Sequence, residues 1–106
     1  MSPQQQAVGA VFSALSDPTR RQVVELLSRR PSVTASGLAH ELPITRQAIS
    51  KHLATLEQAG LVEVSHEGRE ARYRLTPEPL TGAMQWMASA GARWDQRHAR
   101  LARRLA

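Results

Sequence analysis

Thr34-Ala35-Ser36-Gly37-Leu38-Ala39-His40-Glu41-Leu42-Pro43-Ile44-Thr45-Arg46-Gln47-Ala48-Ile49-Ser50-Lys51-His52-Leu53-Ala54-Thr55-Leu56-Glu57-Gln58-Ala59-Gly60-Leu61 reads as two short helices joined by a tight turn. Thr34 and Thr45 stand where N-caps belong, each offering a hydroxyl to backbone N–H groups that lack a partner inside the helix. In the first helix, about Ala35 to Leu42, the residues Leu38, Ala39 and Leu42 share one face, and Pro43 cannot continue it. In the second, Thr45 to Ala59, the apolar stripe is Ile49, Leu53 and Leu56. Gly60 stops it where left-handed backbone is needed, and Leu61 can fold back on Leu56.

Downstream, the period changes from 3.6 to 2. Val62 and Val64 alternate with Glu63 and Ser65, and Ala71, Tyr73 and Leu75 alternate with Arg72 and Arg74, around a polar tip at Glu67-Gly68-Arg69. That predicts a two-stranded hairpin, which is marginal alone in water and must pack on the helices. Upstream, Val8, Val11, Phe12 and Leu15 form one helical stripe. Asp17 then caps a helix opened by Pro18 and carrying Val23, Val24 and Leu27 to about Arg29. Arg21 and Glu25, one turn apart, are expected to pair on its outer face. Thr76-Pro77-Glu78-Pro79 closes the hairpin and opens the last helix. There Leu80, Met84, Met87, Gly91, Trp94, His98, Leu101 and Leu105 alternate spacings of four and three. Such a seam packs on another helix, and its twin in a second subunit is the natural partner, because about 26 residues at 1.5 Å each outrun what a small core needs. The expected architecture is mainly α with a small β-hairpin (α+β): five helices in a winged helix-turn-helix, one domain over residues 1–106.

The composition narrows the function. The chain has 106 residues, no cysteine, and fourteen Lys and Arg against nine Asp and Glu, for a net charge of +5. Disulfides, thiolate metal sites and thiol catalysis are excluded. The charge-free runs Ser2–Ser16 and Pro79–Ala92 are too short and polar to span a bilayer. The first residues lack the basic and apolar regions of a secretory signal, so a cytoplasmic, nucleoid-associated location is expected. A small basic chain of this kind points to a polyanion, most often nucleic acid.

The second helix of the pair is the element that would read DNA. Gln47, Ser50, Lys51, Ala54 and Gln58 lie opposite its apolar stripe, with Arg46 and His52 at the flanks. Arginine fits guanine bidentately, glutamine fits adenine, and serine adapts to either. Expected DNA contacts are Thr45, Arg46, Gln47, Ser50, Lys51 and His52, with Arg69, Arg72 and Arg74 from the hairpin. His52 has a packing role as its other reading, and Arg72 and Arg74 could instead pair with Glu63 or Glu70 across the strands. The expected dimer interface is Val8, Val11, Phe12 and Leu15 with Met84, Met87, Gly91, Trp94, His98 and Leu101.

Asp17-Pro18-Thr19-Arg20-Arg21, the block from Thr45 to Leu53, Ala59-Gly60-Leu61-Val62 and the Gly68–Leu75 hairpin together resemble the ArsR/SmtB family of bacterial repressors. The likeness runs from about Val8 to Leu105. It implies a homodimer built from the first and last helices, and promoter binding that a small-molecule or protein effector relieves. Metal-sensing members carry a cysteine pair in the third helix, where this chain has Gly37-Leu38-Ala39-His40-Glu41-Leu42. Others carry two ligand pairs on the last helix, where this chain has Asp95 and His98 alone. The resemblance is therefore to the metal-free, cysteine-less branch, with no metal or cofactor expected.

Other motifs carry less. Ser65, His66 and Glu67 include the residue types of a hydrolase triad, but strand alternation puts His66 on the opposite face, and no catalysis is assigned. His40 beside Glu41 lacks the spacing of a zinc protease. Arg93, Arg97, Arg100, Arg103 and Arg104 read as a solvated end that complements the helix C-terminus, or else as a second basic surface. The leading expectation is a dimeric repressor on a palindromic double-stranded operator. The alternatives are a winged helix that docks an acidic protein and, third, a metal-responsive repressor using Asp95 and His98.

Overall fold

Each of the first four helices begins where a short polar side chain accepts from its first turn. Ser2 Oγ accepts from Gln5 N while Gln5 Oε1 accepts from Ser2 N, both at 3.2 Å, a reciprocal capping box. Asp17 Oδ1 accepts from Thr19 N at 2.8 Å and Arg20 N at 3.1 Å. Thr34 Oγ1 accepts from Gly37 N at 3.0 Å, and Thr45 Oγ1 from Ala48 N at 3.1 Å. The computed structural model describes residues 2–105. In it the caps open α1 (Pro3–Ala14), α2 (Pro18–Ser28), α3 (Ala35–Glu41) and α4 (Arg46–Gln58). Strands β1 (Val62–Glu67) and β2 (Glu70–Leu75) follow, then α5 (Glu78–Leu105).

The caps have an electrostatic consequence. The N–H of Arg20, then that of Thr19, together with the positive charges of His52 and Arg20, hold the Asp17 carboxyl below its ordinary range against a smaller opposing effect of burial. A depressed carboxyl adds stability above its unfolded-state pKa and loses it as pH falls through the folded-state value. Asp17→Ala is therefore expected to lower the melting temperature at neutral pH. The gap to the parent should begin to narrow as pH falls below about 4 and close only below the depressed folded-state value, where the carboxyl is protonated in the folded and unfolded chain alike. Thermal melts followed by circular dichroism at the two pH values check this; an equal gap at both would remove the charge from the account.

α4 ends as its sequence requires. Gly60 has φ +77°, its N–H reaches Glu57 O at 2.9 Å, and Leu61 N–H returns to Leu56 O at 3.0 Å. That is the Schellman pattern, and it drops Leu61 and Val62 straight into the core. The core is aliphatic: Val11, Val23, Leu27, Leu38, Ile49, Leu53, Leu56 and Leu61 are its largest fully buried side chains. α1, α2, α3 and α4 contribute all but Leu61, so the helix-turn-helix pair is seated on the same core as its supports.

The hairpin is antiparallel, with Val62 opposite Leu75 and Val64 opposite Tyr73, and turns through Gly68 at φ +62°. It has an anchor that periodicity did not show. Val33, in the loop before α3, donates to Tyr73 O at 3.0 Å and accepts from Tyr73 N at 2.8 Å. A one-residue bridge leaves no repeat to read, yet it ties the wing to the helix pair.

Two expectations need correcting. Arg21 makes no pair with Glu25; its Nη1 donates to Leu15 O at 2.6 Å instead. α1 has no basic residue in its own last turn, so its free carbonyls attract a cation from the next helix. The α1 stripe is also divided. Val11, expected at the dimer interface, is 1% exposed and turned into the core of its own chain, whereas Leu15 is partly buried against that core. Phe12 is 39% exposed and meets Trp86 of α5 edge-on, with ring centroids 5.8 Å apart.

α5 runs unbroken for 28 residues, Gly91 included. Among its described residues only Ala83 is buried. The helix extends well past the core it starts from, and the molecule measures 66 × 29 × 22 Å.

Candidate nucleic-acid interface

The site is built from α4 outward. Ile49, Leu53 and Leu56 are wholly buried, which fixes the rotation of α4 about its axis. Arg46, Gln47, Ser50, Lys51, Ala54 and Gln58 are exposed on the other side, as the sequence implied. The turn before it is set by Leu42, extended at φ −111° and ψ 142°, and by the Ile44 N–H to Leu42 O contact of 2.8 Å. Thr45 is exposed, but its hydroxyl already accepts from the Ala48 N–H, so it shapes the helix start as well as facing outward.

The wing brings Arg69 to the same place. A cleft of about 180 Å3 is lined by Thr34, Ala35 and Ser36 from the start of α3, Arg46 and Ser50 from α4, and Arg69 to Ala71 with Tyr73 from the wing. Arg46, Ser50 and Arg69 are thus brought together from positions far apart in sequence. Ser36 and Thr34 were not among the expected site residues. The only signal for them was polarity in the first turn of α3, a helix that sequence reasoning treated as support.

The cations of this surface differ in how free they are. Among the described residues, no carboxylate lies within salt-bridge distance of Arg46, Lys51 or Arg69. Arg72 is held on the hairpin, with Nε 3.7 Å from Glu67 Oε2 and Nη1 4.0 Å from Glu70 Oε2. The register sets Glu63 opposite Arg74, and Arg74 Nη2 donates to Ser65 Oγ at 3.2 Å. Of the partners weighed for Arg72, Glu70, two residues before it on β2, is met and Glu63 is not; the carboxylate reached across the hairpin is Glu67.

His52 is placed on the packing side of its two readings. It is half-buried, and its Nδ1 lies 3.5 Å from Arg20 Nη1. The remaining ionisable pair outside the wing, Arg30 with Glu41, joins the end of α2 to α3 on the surface. Each raises the other's preference for charge, chiefly through their hydrogen bond.

The α5 seam stands open. Met84, Met87, Trp94, Leu101 and Leu105 are 63, 46, 60, 54 and 80% exposed. His98 stacks against Trp94 with centroids 3.9 Å apart, and its Nδ1 is 3.3 Å from Trp94 O. Among the described residues no group of three His, Asp or Glu side chains is arranged to hold a metal, so Asp95 and His98 gain no third ligand within the chain. Among the described residues no helix is long and apolar enough to cross a membrane.

Among solved proteins, similarity of architecture goes with similarity of sequence. An ArsR-like transcriptional regulator from Rhodococcus sp. RHA1 superposes with a TM-score of 0.83 at 41% identity, over 94% of this chain and 93% of that one. This chain belongs to the ArsR family of winged helix-turn-helix transcriptional regulators. Residues 15–65, from the end of α1 into β1, match a family model described as a helix-turn-helix domain. Among curated relatives, the HTH-type regulator YuzN of Bacillus subtilis (strain 168) is 40% identical over 82 residues, covering 72% of this ArsR-family chain and 89% of the relative. The transcriptional repressor SdpR of the same organism is 36% identical over 77 residues, covering 73% and 84%. The residues matched by the family model include the helix pair, which supplies Thr34, Ala35, Ser36, Arg46 and Ser50 of the cleft, and the start of β1.

Proposed function

We propose that this protein is a homodimeric, sequence-specific repressor that binds an imperfectly palindromic DNA operator. One winged-helix unit per chain is flanked by helices α1 and α5 that pair two copies. The observation that carries the reading is the cleft in which α4 and the wing present Arg46, Ser50 and Arg69 side by side. Arg46, Gln47 and Ser50 on α4 read base edges in the major groove, and Arg69 at the wing tip meets phosphate. Lys51 and Arg74 add sequence-independent attraction. Arg72 contributes less, because its guanidinium is already shared between Glu67 and Glu70.

Dimerisation follows from α5. A seam of large apolar side chains half or more exposed is a surface that water disfavours, and a second copy covers it with its own seam. With two copies paired, the recognition helices enter successive major grooves about 34–36 Å apart. Phe12 and Val8 of α1 join Met84, Met87, Gly91, Trp94, His98 and Leu101 in that interface.

The test is fluorescence anisotropy on the duplex upstream of the gene beside a shuffled duplex, at two salt concentrations and with chelator. Gln47→Ala is expected to cost about 1–3 kcal/mol on the upstream duplex and to relax its sequence preference. Arg69→Ala is expected to weaken both duplexes alike and to lower the salt slope by about one phosphate contact. Equal binding of both variants and the parent would place the DNA-reading face elsewhere.

A further inference from the structure

The guanidinium of Arg20, in the first turn of α2, spans two other helices. Its Nε donates to Ala14 O at 2.6 Å, and Nη2 lies 3.4 Å from Ser13 O, both at the end of α1. Its Nη1 lies 3.5 Å from Nδ1 of His52, midway along α4. Among the described residues Arg20 has no carboxylate within salt-bridge distance. Its planar fork is therefore used to bridge backbone carbonyls and an imidazole, a task that needs several fixed donor directions rather than a point charge.

The bridge falls where packing is loose. The last turns of α1 and the second half of α4 leave a groove of about 180 Å3 between them, lined by Ala10, Ser13, Ala14, Thr55, Gln58 and Ala59. These side chains are small or polar. Apolar packing seats α4 and α1 on one core through Val11, Ile49, Leu53 and Leu56, and Arg20 adds a directional polar tie between the two helices.

We propose that Arg20 is a positioning residue for DNA reading: through His52 it holds the recognition helix in register with α1. This rests on the DNA-binding reading given above. The contact requires His52 Nδ1 to be an acceptor, because a doubly protonated ring has two donors and no lone pair for Arg20. The charged groups that face His52 are Arg20 of α2 and Asp17 at the α1–α2 corner; Lys51 is its charged neighbour on α4. α1 presents only carbonyls and small side chains there. Protonating His52 removes the hydrogen bond and sets a cation against Arg20, with Asp17 offsetting part of the repulsion. α4 stays seated by its buried stripe but loses one polar tie to α1 and α2, and Gln47 and Ser50, on the same helix, shift with it.

The sign of the pH effect separates this role from direct DNA contact. A histidine touching phosphate binds all DNA more tightly as it becomes protonated. A histidine acting through Arg20 reads sequence less well. The experiment uses a duplex selected by the parent protein from a randomised pool, and its scrambled counterpart, in anisotropy titrations at about pH 8 and about pH 5.5, spanning the range in which histidine titrates. The parent's preference for the selected duplex is expected to fall roughly fivefold between the two, and His52→Gln, which keeps an acceptor but does not titrate, should be flat. Arg20→Gln is expected to hold the preference at both pH values about tenfold below the parent's value at about pH 8, with no pH dependence of its own. Arg20→Lys, which keeps the charge but not the fork, should match it, with far-ultraviolet circular dichroism confirming that each variant folds.

Restoration by lysine, or a parent that tightens on both duplexes at low pH, would overturn the proposal. If the parent selects no duplex, the DNA-binding reading falls by itself. The Arg20–His52 contact is then judged in the free protein by urea unfolding of Arg20→Gln, His52→Gln and the double variant. Additive midpoints would exclude the contact, and non-additive ones would retain it as a tie between α2 and α4.

Discussion

Met87→Glu is expected to leave the protein folded, monomeric and weakened by about a hundredfold or more on a palindromic duplex. Met87 is 46% exposed in the single chain, so a carboxylate there meets water and costs the fold little. In a paired seam the same carboxylate is buried twice over, once in each copy. No arginine lies within a helical turn of position 87 to neutralise it, the first being Arg93. A buried, unpaired charge on each side outweighs what an interface of ordinary size holds in reserve. Losing the dimer then loses the linkage between two half-site contacts, which is worth about 10²–10⁴ in affinity. Sedimentation velocity gives the state of association, and anisotropy gives the affinity. A variant that stays dimeric and binds as the parent does would move the interface off α5.

Leu53→Ala has the opposite signature. Leu53 is wholly buried beneath α4, among Ile49, Leu56 and the residues of α1 to α3. Truncating it removes transfer free energy and leaves a cavity that rigid helices collapse only in part, at a cost of about 2–5 kcal/mol. That is a large share of the total stability of a small protein, and a drop in melting temperature of about 10–20 °C is expected. Thermal melts by circular dichroism check it. A drop of only a few degrees would mean that α4 is seated by something other than its apolar stripe. The contrast is useful: Met87→Glu separates copies without melting them, and Leu53→Ala melts the chain that both readings need.

The DNA-facing surface has a division of labour among its cations. Among the described residues Arg46, Lys51 and Arg69 have no carboxylate within salt-bridge distance, whereas Arg72 is tethered and Arg20 faces inward. Arginine count alone therefore overstates the phosphate contacts. The free cations lie beside the polar residues of α4, so under the proposed DNA-binding reading the salt-sensitive and sequence-sensitive contributions are expected from neighbouring atoms.

Local chemistry was legible wherever one residue type has one strong reason to be where it is. Asp17, Thr34 and Thr45 were read as caps because their side chains accept from the next turn, and the structure has those bonds. Gly60 was read as a helix stop because left-handed backbone favours glycine, and its φ is +77°. The change of period after Leu61 announced the hairpin, and the stripe Ile49, Leu53, Leu56 fixed which face of α4 turns outward. Each of these depends on residues within a turn or two of one another.

What escaped that reading involves partners distant in sequence. Arg21 has Glu25 within reach on its own helix, yet the carbonyl of Leu15 holds it, because the unsatisfied end of α1 is a better acceptor at that corner. Val11 belongs to the same stripe as Val8, but the packing of α1 on the core turns it inward, away from any second copy. Val33 pairs with Tyr73 across forty positions, and Arg20 reaches His52 across thirty-two. The order of elements, their caps and their buried faces were written in short-range periodicity, since backbone hydrogen bonding and burial repeat along the chain. The cleft that joins Arg46, Ser50 and Arg69, and the tether that joins α1, α2 and α4, came from folding, since side-chain contacts between elements obey geometry rather than period.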